Sequence, residues 1–264
     1  MSILGNRTRG LDYRQRIILY EGVPLAVLDY CASVYYPRLS KVYKQRLRTP
    51  NRKWLLRTIG GYGTISYEAT HLIARVLPLD LYFSRRILLS KFKHYVRGKL
   101  PKTDEQFGLR FEYSKIYDSS DDSEVGFKIV TDIIHNSLYQ KWQAEWDRCD
   151  KCRNTHRFFP SVRDRLRMKD TDINFHTTKI LSGHGNFAQY LKRFHIVDDA
   201  NCTDCKNNQI DSVEHALFEC PAFADLRSRR KINTSFFNIG KKKISERRSF
   251  LVFAHQITSM KKRH

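Results

Sequence analysis

The spacing of four residues in the last third of the chain constrains its fold more than any other feature. Cys202 and Cys205 are separated by two residues, and His215 and Cys220 follow them at intervals of nine and four residues. Thiolates and imidazole nitrogens suit tetrahedral Zn²⁺, and a CxxC turn presents two thiolates to one ion. The segment has few apolar side chains, so a metal would supply stability that its small core does not. We therefore predict one structural zinc ion; the alternative is chance spacing, with the apolar residues as ordinary core.

The other cysteines are Cys31, Cys149 and Cys152. Six cysteines in 264 residues are too few for a disulfide scaffold, and two CxxC pairs suit a reducing compartment and a metal better than bridges. Cys149 and Cys152 could form a second zinc site with His156. We favour the alternative, two free thiols at the end of a helix.

The charge of the chain indicates a polyanionic partner. Lys and Arg number 48 against 27 Asp and Glu, a net charge of +21. This excess argues against an ordinary enzyme for small neutral substrates and favours RNA or DNA first and an acidic membrane surface second. We predict phosphate contacts in the basic stretch 38–57, beside the zinc segment and in the tail from 227, by Arg46, Arg48, Arg52, Lys53, Arg57, Lys192, Arg193, Arg229, Arg230, Lys241, Lys242 and Lys243.

One apolar stretch, Ile17 to Tyr36, has the length of a membrane span. Glu21, Asp29 and Pro24 interrupt it, and a carboxylate near the centre of a span costs roughly 2.5–3.5 kcal/mol. We interpret it as a buried helix of a soluble fold and expect no membrane partner. The first ten residues lack an apolar core, so we expect no secretory signal.

The apolar spacing predicts a mainly α fold without a convincing strand. Thr49 and Pro50 have the character of an N-cap and first helical position, and Ser66 that of an N-cap. We expect Gly98 to Glu124 to form a linker or long surface loop. The predicted helices are one that ends near Arg48, one from Pro50 to about Ile59, and those at 67–76, 79–96, 127–146, 177–181 and 187–194.

Two runs carry a family resemblance: one precedes the predicted zinc ligands, and the other contains the last two of them. The first is Gly183-His184-Gly185-Asn-Phe187-Ala-Gln-Tyr190-Leu191-Lys-Arg-Phe194, and the second is Glu214-His215-Ala-Leu-Phe-Glu-Cys220-Pro221. Both resemble the C-terminal region of the Pol polyprotein of non-LTR retrotransposons, in particular insect elements that insert into ribosomal RNA genes. The resemblance implies that the four ligands form a CCHC zinc knuckle.

Segments further upstream also resemble this family, so the likeness covers most of 17–227. The residues from Tyr20 to Thr70, with Trp54 and the glycines that follow it, are similar to the end of the polymerase's helical thumb. The run Trp142 to Arg157 is similar to the linker before the knuckle. Lys206 and Cys152 stand where the family usually has glycine.

The resemblance implies a segmental organisation and a function. The segments would be a thumb-like remnant at 1–98, a linker or loop at 99–125, a helical linker region at 126–200, the knuckle at 201–226 and a basic tail at 227–264. The intact parent would be an RNA-directed DNA polymerase (a nucleotidyltransferase) with an endonuclease, working with Mg²⁺ in the nucleus. This segment would bind RNA or DNA alongside the rest of the polyprotein.

Whether the chain is itself an enzyme stays open, because the palm motif that the family needs is absent. The sequence Tyr117-Asp118-Ser-Ser-Asp121-Asp122 has the wrong spacing and polar flanks, so we interpret it as a solvated loop rather than a nuclease site. No catalytic residue is predicted. The alternative function is a standalone zinc-dependent adaptor that the host now uses.

A few further side chains permit two interpretations. Trp54, Trp142 and Trp146 can stack on bases, but their helical spacing favours core positions. His184 can contact RNA, although stabilisation of its turn is favoured. The basic runs 241–243 and 261–263 can be nuclear localisation signals, phosphate contacts or solvated charge.

Overall fold

The computed structural model describes residues 10–98, 111–168, 173–205 and 207–261. Within these ranges the fold is mainly α, as predicted, and extended backbone pairs at a bridge between Asn201 and Ile210. The α-helices are α1 Tyr13–Tyr20, α2 Ala26–Asp29, α3 Ala32–Tyr35, α4 Lys41–Ile59, α5 Tyr67–Ala74, α6 Leu79–Val96, α7 Phe111–Asp118, α8 Ser123–Arg148, α9 Arg153–Phe158, α10 Val162–Arg167, α11 Phe175–Ser182, α12 Ala188–Lys192, α13 Ala224–Arg230 and α14 Ile244–Met260. Glu21–Leu25 and His215–Glu219 form π-helical turns, and Tyr36–Arg38, Asp150–Cys152, Pro221–Phe223, Thr234–Phe236 and Ile239–Lys241 form 3₁₀ turns.

The chain folds into two compact units, each assembled from separate stretches of sequence. The first unit comprises Met1–Glu21, Arg52–Val76 and Trp146–His264, and the second comprises Gly22–Asn51 and Leu77–Glu145. The five sequence segments proposed above stay a prediction.

The core of the first unit is built on the contact between α11 and α14. Its largest buried side chain, Trp146, is 1% exposed, and its indole Nε1–H donates a hydrogen bond to the carbonyl oxygen of Phe159 at 2.7 Å. Thr178, on α11, donates to the carbonyl oxygen of Ile59 at 2.6 Å. These buried bonds fix distant stretches of the sequence against one another, because an unpaired polar group would be costly there.

The second unit packs aromatic and aliphatic side chains of α6 and α8. The rings of Phe92 and Phe127 stack with centroids 5.2 Å apart, and Trp142 is 2% exposed. The hydroxyl of Tyr36 donates to Asp80 Oδ1 at 2.5 Å. Burial, together with this carboxylate, raises the pKa of Tyr36 well above its usual value, so the phenol stays a neutral donor.

The stretch from Ile17 to Tyr36 corrects one expectation, because it is not a single buried helix. Pro24 lies in the π-helical turn, where its missing N–H is tolerated, and Cys31 adopts a left-handed conformation with φ of 54°. Apolar side chains on one side of the broken helix are exposed, among them Val27 and Tyr30. Within the described residues no single helix is long and apolar enough to cross a membrane; a bent pair, Tyr13–Asp29 with Ala32–Arg38, meets the length and composition criteria jointly, with a bend of 44°.

Two helix boundaries were also predicted wrongly. Pro50 does not begin a helix: it lies within the continuous α4, where the buried residues Leu55, Leu56 and Ile59 hold the following turns in place. The predicted loop 98–124 contains α7, although residues 99–110 lie outside the described part of the chain.

The remaining helices largely follow the sequence signals. Ser66 caps α5, since its Oγ accepts a hydrogen bond from Ala69 N–H, and Gly60 ends α4 with φ of 64°. The core interpretation of Trp142 and Trp146 is confirmed, whereas Trp54 is half-buried with the Arg57 guanidinium 5.8 Å from its ring.

Candidate metal centre

The fold brings the four predicted zinc ligands together. The ligand atoms of Cys202, Cys205, His215 and Cys220 all lie within 4.8 Å of one another. The sulfurs of Cys202 and Cys220 are 4.0 Å apart, and Cys205 Sγ lies 3.4 Å from His215 Nε2. A tetrahedron with zinc–sulfur bonds of about 2.3 Å and zinc–nitrogen bonds of about 2.0 Å separates these pairs by about 3.8 and 3.5 Å. The cluster therefore has the dimensions of a site for one zinc ion.

Local backbone structure positions the two halves of this cluster. The first half is a hairpin-like turn, in which Cys202 N–H donates to the carbonyl oxygen of Gln209 at 2.8 Å beside the Asn201–Ile210 bridge. The second half is the π-helical turn His215–Glu219, closed by a 2.7 Å bond from Cys220 N–H to the carbonyl oxygen of His215. This wider turn places His215 and Cys220, five positions apart, on the same side of the backbone.

The chemistry of the donors also fits a metal ion. Cys202, His215 and Cys220 are between 0% and 3% exposed. Burial raises the pKa of the Cys202 thiol, and burial with the neighbouring Cys202 raises the pKa of Cys220 to about 12. A buried cluster of thiols is costly to ionise alone, but a bound divalent cation reverses that cost and deprotonates them. His215 Nδ1 faces Glu219 Oε2 at 3.6 Å, so Nε2 is the nitrogen that points at the sulfurs.

A buried ion cluster supports the first half of the site, and sequence reasoning missed it. Lys261 Nζ lies 2.6 Å from Asp211 Oδ1 and 2.9 Å from Asp204 Oδ2, with the Lys261 and Asp211 side chains 2% and 1% exposed. Burial lowers the pKa of Lys261, but the two carboxylates outweigh burial and raise it. Cys202, Asp204 and Asp211 also group closely enough for a metal, yet the Lys261 ammonium already provides a cation there.

This geometry corrects the interpretation of Lys261 as an exposed basic residue. The side chain is buried and paired, so it is neither a phosphate contact nor solvated charge. Residues 262 and 263 of the same predicted run lie outside the described residues. The sequence held a weak signal in the two aspartates between the ligands, but nothing indicated a lysine fifty or more residues away as their partner.

The second cysteine pair and His156 have other contacts in the structure. The sulfurs of Cys149 and Cys152 are bonded to each other, which differs from the predicted free thiols. His156 Nε2 contacts Asp147 Oδ1 at 2.9 Å instead. Among the residues that the structure describes, no group suited to a metal includes any of these side chains.

The carboxylates considered for a nuclease site have structural contacts. Asp118 accepts hydrogen bonds from the Tyr95 hydroxyl at 2.8 and 2.9 Å. Asp122 accepts one from Glu124 N–H at 2.7 Å at the start of α8, and Asp121 is exposed. In the described part of the chain these residues belong to no group that could hold a metal ion. Tyr117 and Asp118 lie at the end of α7 rather than in the predicted loop.

An aromatic platform of three rings precedes the metal centre along the chain. It consists of His184, Tyr190 and Phe194, with centroids 4.8 Å apart for the first pair and 5.0 Å for the second. His184 Nδ1 lies 2.8 Å from the carbonyl oxygen of Ser182, which supports its role in the turn. Phe194 is 46% exposed, which is unusual for a large apolar ring.

Some of the predicted phosphate contacts surround this platform. Lys192 and Arg193 are exposed at the end of α12. Burial lowers the pKa of His184, and the charges of Arg193 and Arg52 lower it further, against hydrogen bonds involving Ser182 and Thr64. The structure therefore brings Arg52 and Arg193 to the same histidine, although they are far apart in sequence.

The other predicted contacts divide into engaged and exposed side chains. Arg52 donates to the carbonyl oxygens of Ile65 and Gly63 at 2.7 and 2.5 Å, so it also holds the loop after α4. Arg48 pairs with Asp80, and Lys242 donates to Ser235 Oγ at 2.6 Å. Arg46 lies over the ring of Tyr43 at 5.4 Å, Arg57 lies over that of Trp54, and Arg230 is half-buried. The exposed members are Lys53, Arg229, Lys241 and Lys243.

The metal centre and the platform are joined through Asp211. Its carboxylate Oδ2 accepts a hydrogen bond from Ala188 N–H at 2.9 Å, and its carbonyl oxygen accepts one from Gln189 N–H at 3.2 Å. Both donors belong to the first turn of α12, the helix that carries Tyr190 and Lys192. Asp211 therefore couples the conformation of the loop between Cys202 and His215 to the position of α12 and its aromatic ring.

Comparisons with known proteins agree on one kind of relative. Over 222 residues, or 83% of its length, the chain is 31% identical to the Retrovirus-related Pol polyprotein from type-1 retrotransposable element R1 of Bradysia coprophila. It is 28% identical over 220 residues to the Putative 115 kDa protein in type-1 retrotransposable element R1DM of Drosophila melanogaster. It is 24% identical over 226 residues to the Pol polyprotein from element R1 4 of Nasonia vitripennis.

The chain spans only part of these relatives: 20% of the length of the first two and 51% of the third. No family model matches the chain, and no solved structure matches it significantly.

Proposed function

We propose that this chain, a segment of a Pol polyprotein of the R1 family of non-LTR retrotransposons, binds single-stranded or structured RNA or DNA through a zinc knuckle and its aromatic platform. One observation carries the proposal: Asp211 ties the zinc loop to the helix that presents Tyr190, Lys192 and Arg193. Metal, loop, aromatic rings and cations therefore form one surface.

The chemistry of this surface suits a strand with unpaired bases. Partly exposed rings such as Tyr190 and Phe194 offer faces on which bases stack, while Lys192 and Arg193 neutralise phosphates. Phosphate contacts set affinity but carry little sequence information. The surface is therefore suited to holding nucleic acid with limited sequence preference.

Zinc would be held by Cys202, Cys205, His215 and Cys220, and it would act as a structural cross-link. Other residues of the chain hold the metal-binding loop in place. Asp211 and Lys261 hold it against α12, and Arg227 donates a hydrogen bond to the carbonyl oxygen of Cys220 at 3.0 Å. We assign no catalytic residue to this segment.

The wider role is proposed from the relatives. We infer that residues 1–98 are a thumb-like remnant next to polymerase regions that this chain lacks, and that magnesium-dependent DNA synthesis belongs to those regions. The working compartment would be the nucleus. A standalone host adaptor is the alternative, but relatives described as Pol polyproteins of retrotransposable elements do not favour it.

Fluorescence anisotropy with a labelled single-stranded 20-nucleotide RNA tests the binding surface. Tyr190→Ala should weaken binding by roughly 5- to 150-fold, because stacking contributes about 1–3 kcal/mol per base. Lys192→Glu should reduce the slope of log affinity against log salt by about one. The matched Lys151→Glu, at an exposed lysine that is not part of the platform, should leave the slope unchanged. Equal effects of the two lysine variants, or salt-independent binding, would overturn the proposal.

A further inference from the structure

Cys149 and Cys152, whose sulfurs are bonded to each other, lie at the junction between α8 and α9. Cys149 follows the last residue of α8, and Cys152 ends the 3₁₀ turn before α9 begins. Their Cα atoms are 5.8 Å apart, which is within the usual range for bridged cysteines. A bond between residues three positions apart closes a short loop, so it constrains the unfolded chain less than a long-range bridge does. The fold therefore depends little on this bond.

Hydrogen bonds of Arg153 hold the same turn whether or not the sulfurs are joined. Its guanidinium donates to the carbonyl oxygen of Cys149 at 2.7 Å. It also donates to the carbonyl oxygens of Trp146 and Asp147 at 3.3 and 2.9 Å. The Cys149 N–H donates to the carbonyl oxygen of Trp146 at 3.2 Å. The end of α8 and the start of α9 thus have support that does not come from the sulfur–sulfur bond.

Each sulfur also lies beside an acceptor that suits a thiol proton. Cys152 Sγ lies 3.1 Å from the carbonyl oxygen of Cys149, and Cys149 Sγ lies 3.8 Å from Glu68 Oε2. A sulfur in a disulfide carries no proton, so neither acceptor is used in the bonded state. In the dithiol state each S–H can donate to its acceptor, since a thiol is a weak donor. The turn therefore accommodates both states, which a purely structural bridge does not require.

The two sulfurs differ in their access from solvent. Cys152 is 3% exposed, whereas Cys149 is half-buried. Because exchange between thiols and disulfides depends on access to the sulfur that is attacked, a reagent from solution reacts at Cys149, and Cys152 reacts with its neighbour. In the reducing compartment that the cysteine content favours, a disulfide is typically transient, catalytic or redox-sensing.

We propose that Cys149 and Cys152 are a reversible dithiol–disulfide site, at which Cys149 reacts with small disulfides and thiols and Cys152 is the resolving cysteine. In oxidation, the Cys149 thiolate attacks one sulfur of oxidised glutathione and forms a mixed disulfide. The first glutathione leaves as a thiolate and takes up the proton that Cys149 released. The Cys152 thiolate then attacks Cys149 Sγ, and the second glutathione leaves with the proton from Cys152. The pair loses two electrons, which two molecules of reduced glutathione carry away, and excess reduced glutathione reverses both steps.

The test equilibrates the full zinc-loaded chain in glutathione buffers that run from excess thiol to excess disulfide, starting once from reduced and once from oxidised protein. Acid quenching, alkylation of free thiols and peptide mass spectrometry give the bonded fraction of this pair separately from the state of the zinc ligands. We expect one midpoint, reached from both directions. A pair that stays bonded in excess reduced glutathione is a structural cross-link, and a pair that stays free in excess oxidised glutathione is two inert thiols. Either result rules the proposal out.

Single variants assign the roles of the two sulfurs. Cys149 in Cys152→Ser should form a mixed disulfide with glutathione at least about tenfold faster than Cys152 does in Cys149→Ser, because access limits the exchange. Cys31→Ser, at an exposed cysteine outside the pair, is the control and should leave the midpoint unchanged. Equal rates in the two variants, or faster reaction at Cys152, would contradict the assigned roles. The midpoint itself is measured on the unaltered chain, so a variant that fails to fold leaves that test intact.

Discussion

Replacing Lys261 by methionine should destabilise the first unit more than any change to an exposed lysine. The ammonium group is the cation against Asp211 and Asp204 in a site where the lysine and Asp211 are 2% and 1% exposed. Methionine keeps most of the side-chain volume but leaves a buried carboxylate without its counter-charge. Breaking one partner of such a buried pair costs roughly 3–5 kcal/mol.

The size of this effect makes it measurable by thermal and urea unfolding. For a unit of this size, each kcal/mol corresponds to about 2–4 °C, so Lys261→Met should lower the melting temperature by roughly 6–20 °C. Far-UV circular dichroism and the emission of the buried Trp146 report the transition. Lys241→Met, at an exposed position, is the control and should stay within about 0.5 kcal/mol of the wild type.

A double-mutant cycle tests whether the cost of Lys261→Met comes from the loss of the ion pair with Asp211. Asp211→Asn removes the charge that Lys261 neutralises yet keeps an oxygen for Ala188 N–H. The double variant should therefore be more stable than Lys261→Met alone, with a coupling of about 1.5–3 kcal/mol. Additive losses, or a cost of Lys261→Met below about 1 kcal/mol, would refute the buried-pair argument.

Three further predictions concern metal, pH and packing. The purified protein should contain one zinc ion by elemental analysis. Cys220→Ser should lose this ion, whereas Cys31→Ser, at an exposed cysteine outside the cluster, should keep it. Zinc retained by Cys220→Ser would contradict the assignment. Burial holds the pKa of His184 below 6.5, so the contribution of its neutral form to stability is present above pH 6.5 and is lost as the pH falls through the folded-state value. The free energy of unfolding, measured in urea from pH 7.5 to 5, should fall with a slope of at most about 1.4 kcal/mol per pH unit. His184→Gln should remove this slope, and an unchanged slope would contradict the prediction. Trp146→Phe should cost about 1–3 kcal/mol in urea unfolding, because it leaves the buried carbonyl oxygen of Phe159 without its donor, and a neutral effect would show that the bond is dispensable.

Local chemistry explains what the sequence predicted well. Helix caps such as Ser66 and the CxxC turn depend on residues a few positions apart, so a pattern in one window is sufficient. The family resemblance rests on the same kind of short runs, and relatives that match 83% of the chain confirm it. The resemblance could indicate which residues belong together around the metal, but not how the remaining helices pack.

Non-local packing explains the errors. Pro50 has the local character of a helix start, yet buried turns on its C-terminal side keep α4 continuous. Lys261 looks like part of a basic run, yet its partners are Asp204 and Asp211, which no local rule connects to it. In both cases the deciding contacts lie outside any window in which propensity or charge pattern is read.

The arrangement around Asp211 has a consequence for how binding depends on metal. The loop has few apolar side chains, so we expect its conformation to depend on a metal held by the four candidate ligands and on the Lys261 ion cluster. Asp211 also accepts hydrogen bonds from the first turn of α12, a five-residue helix too short to be stable alone. Loss of order in the loop therefore removes support from the helix that presents Tyr190, Lys192 and Arg193. Metal and nucleic acid should act on one cooperative element, even though no residue of the platform is a zinc ligand.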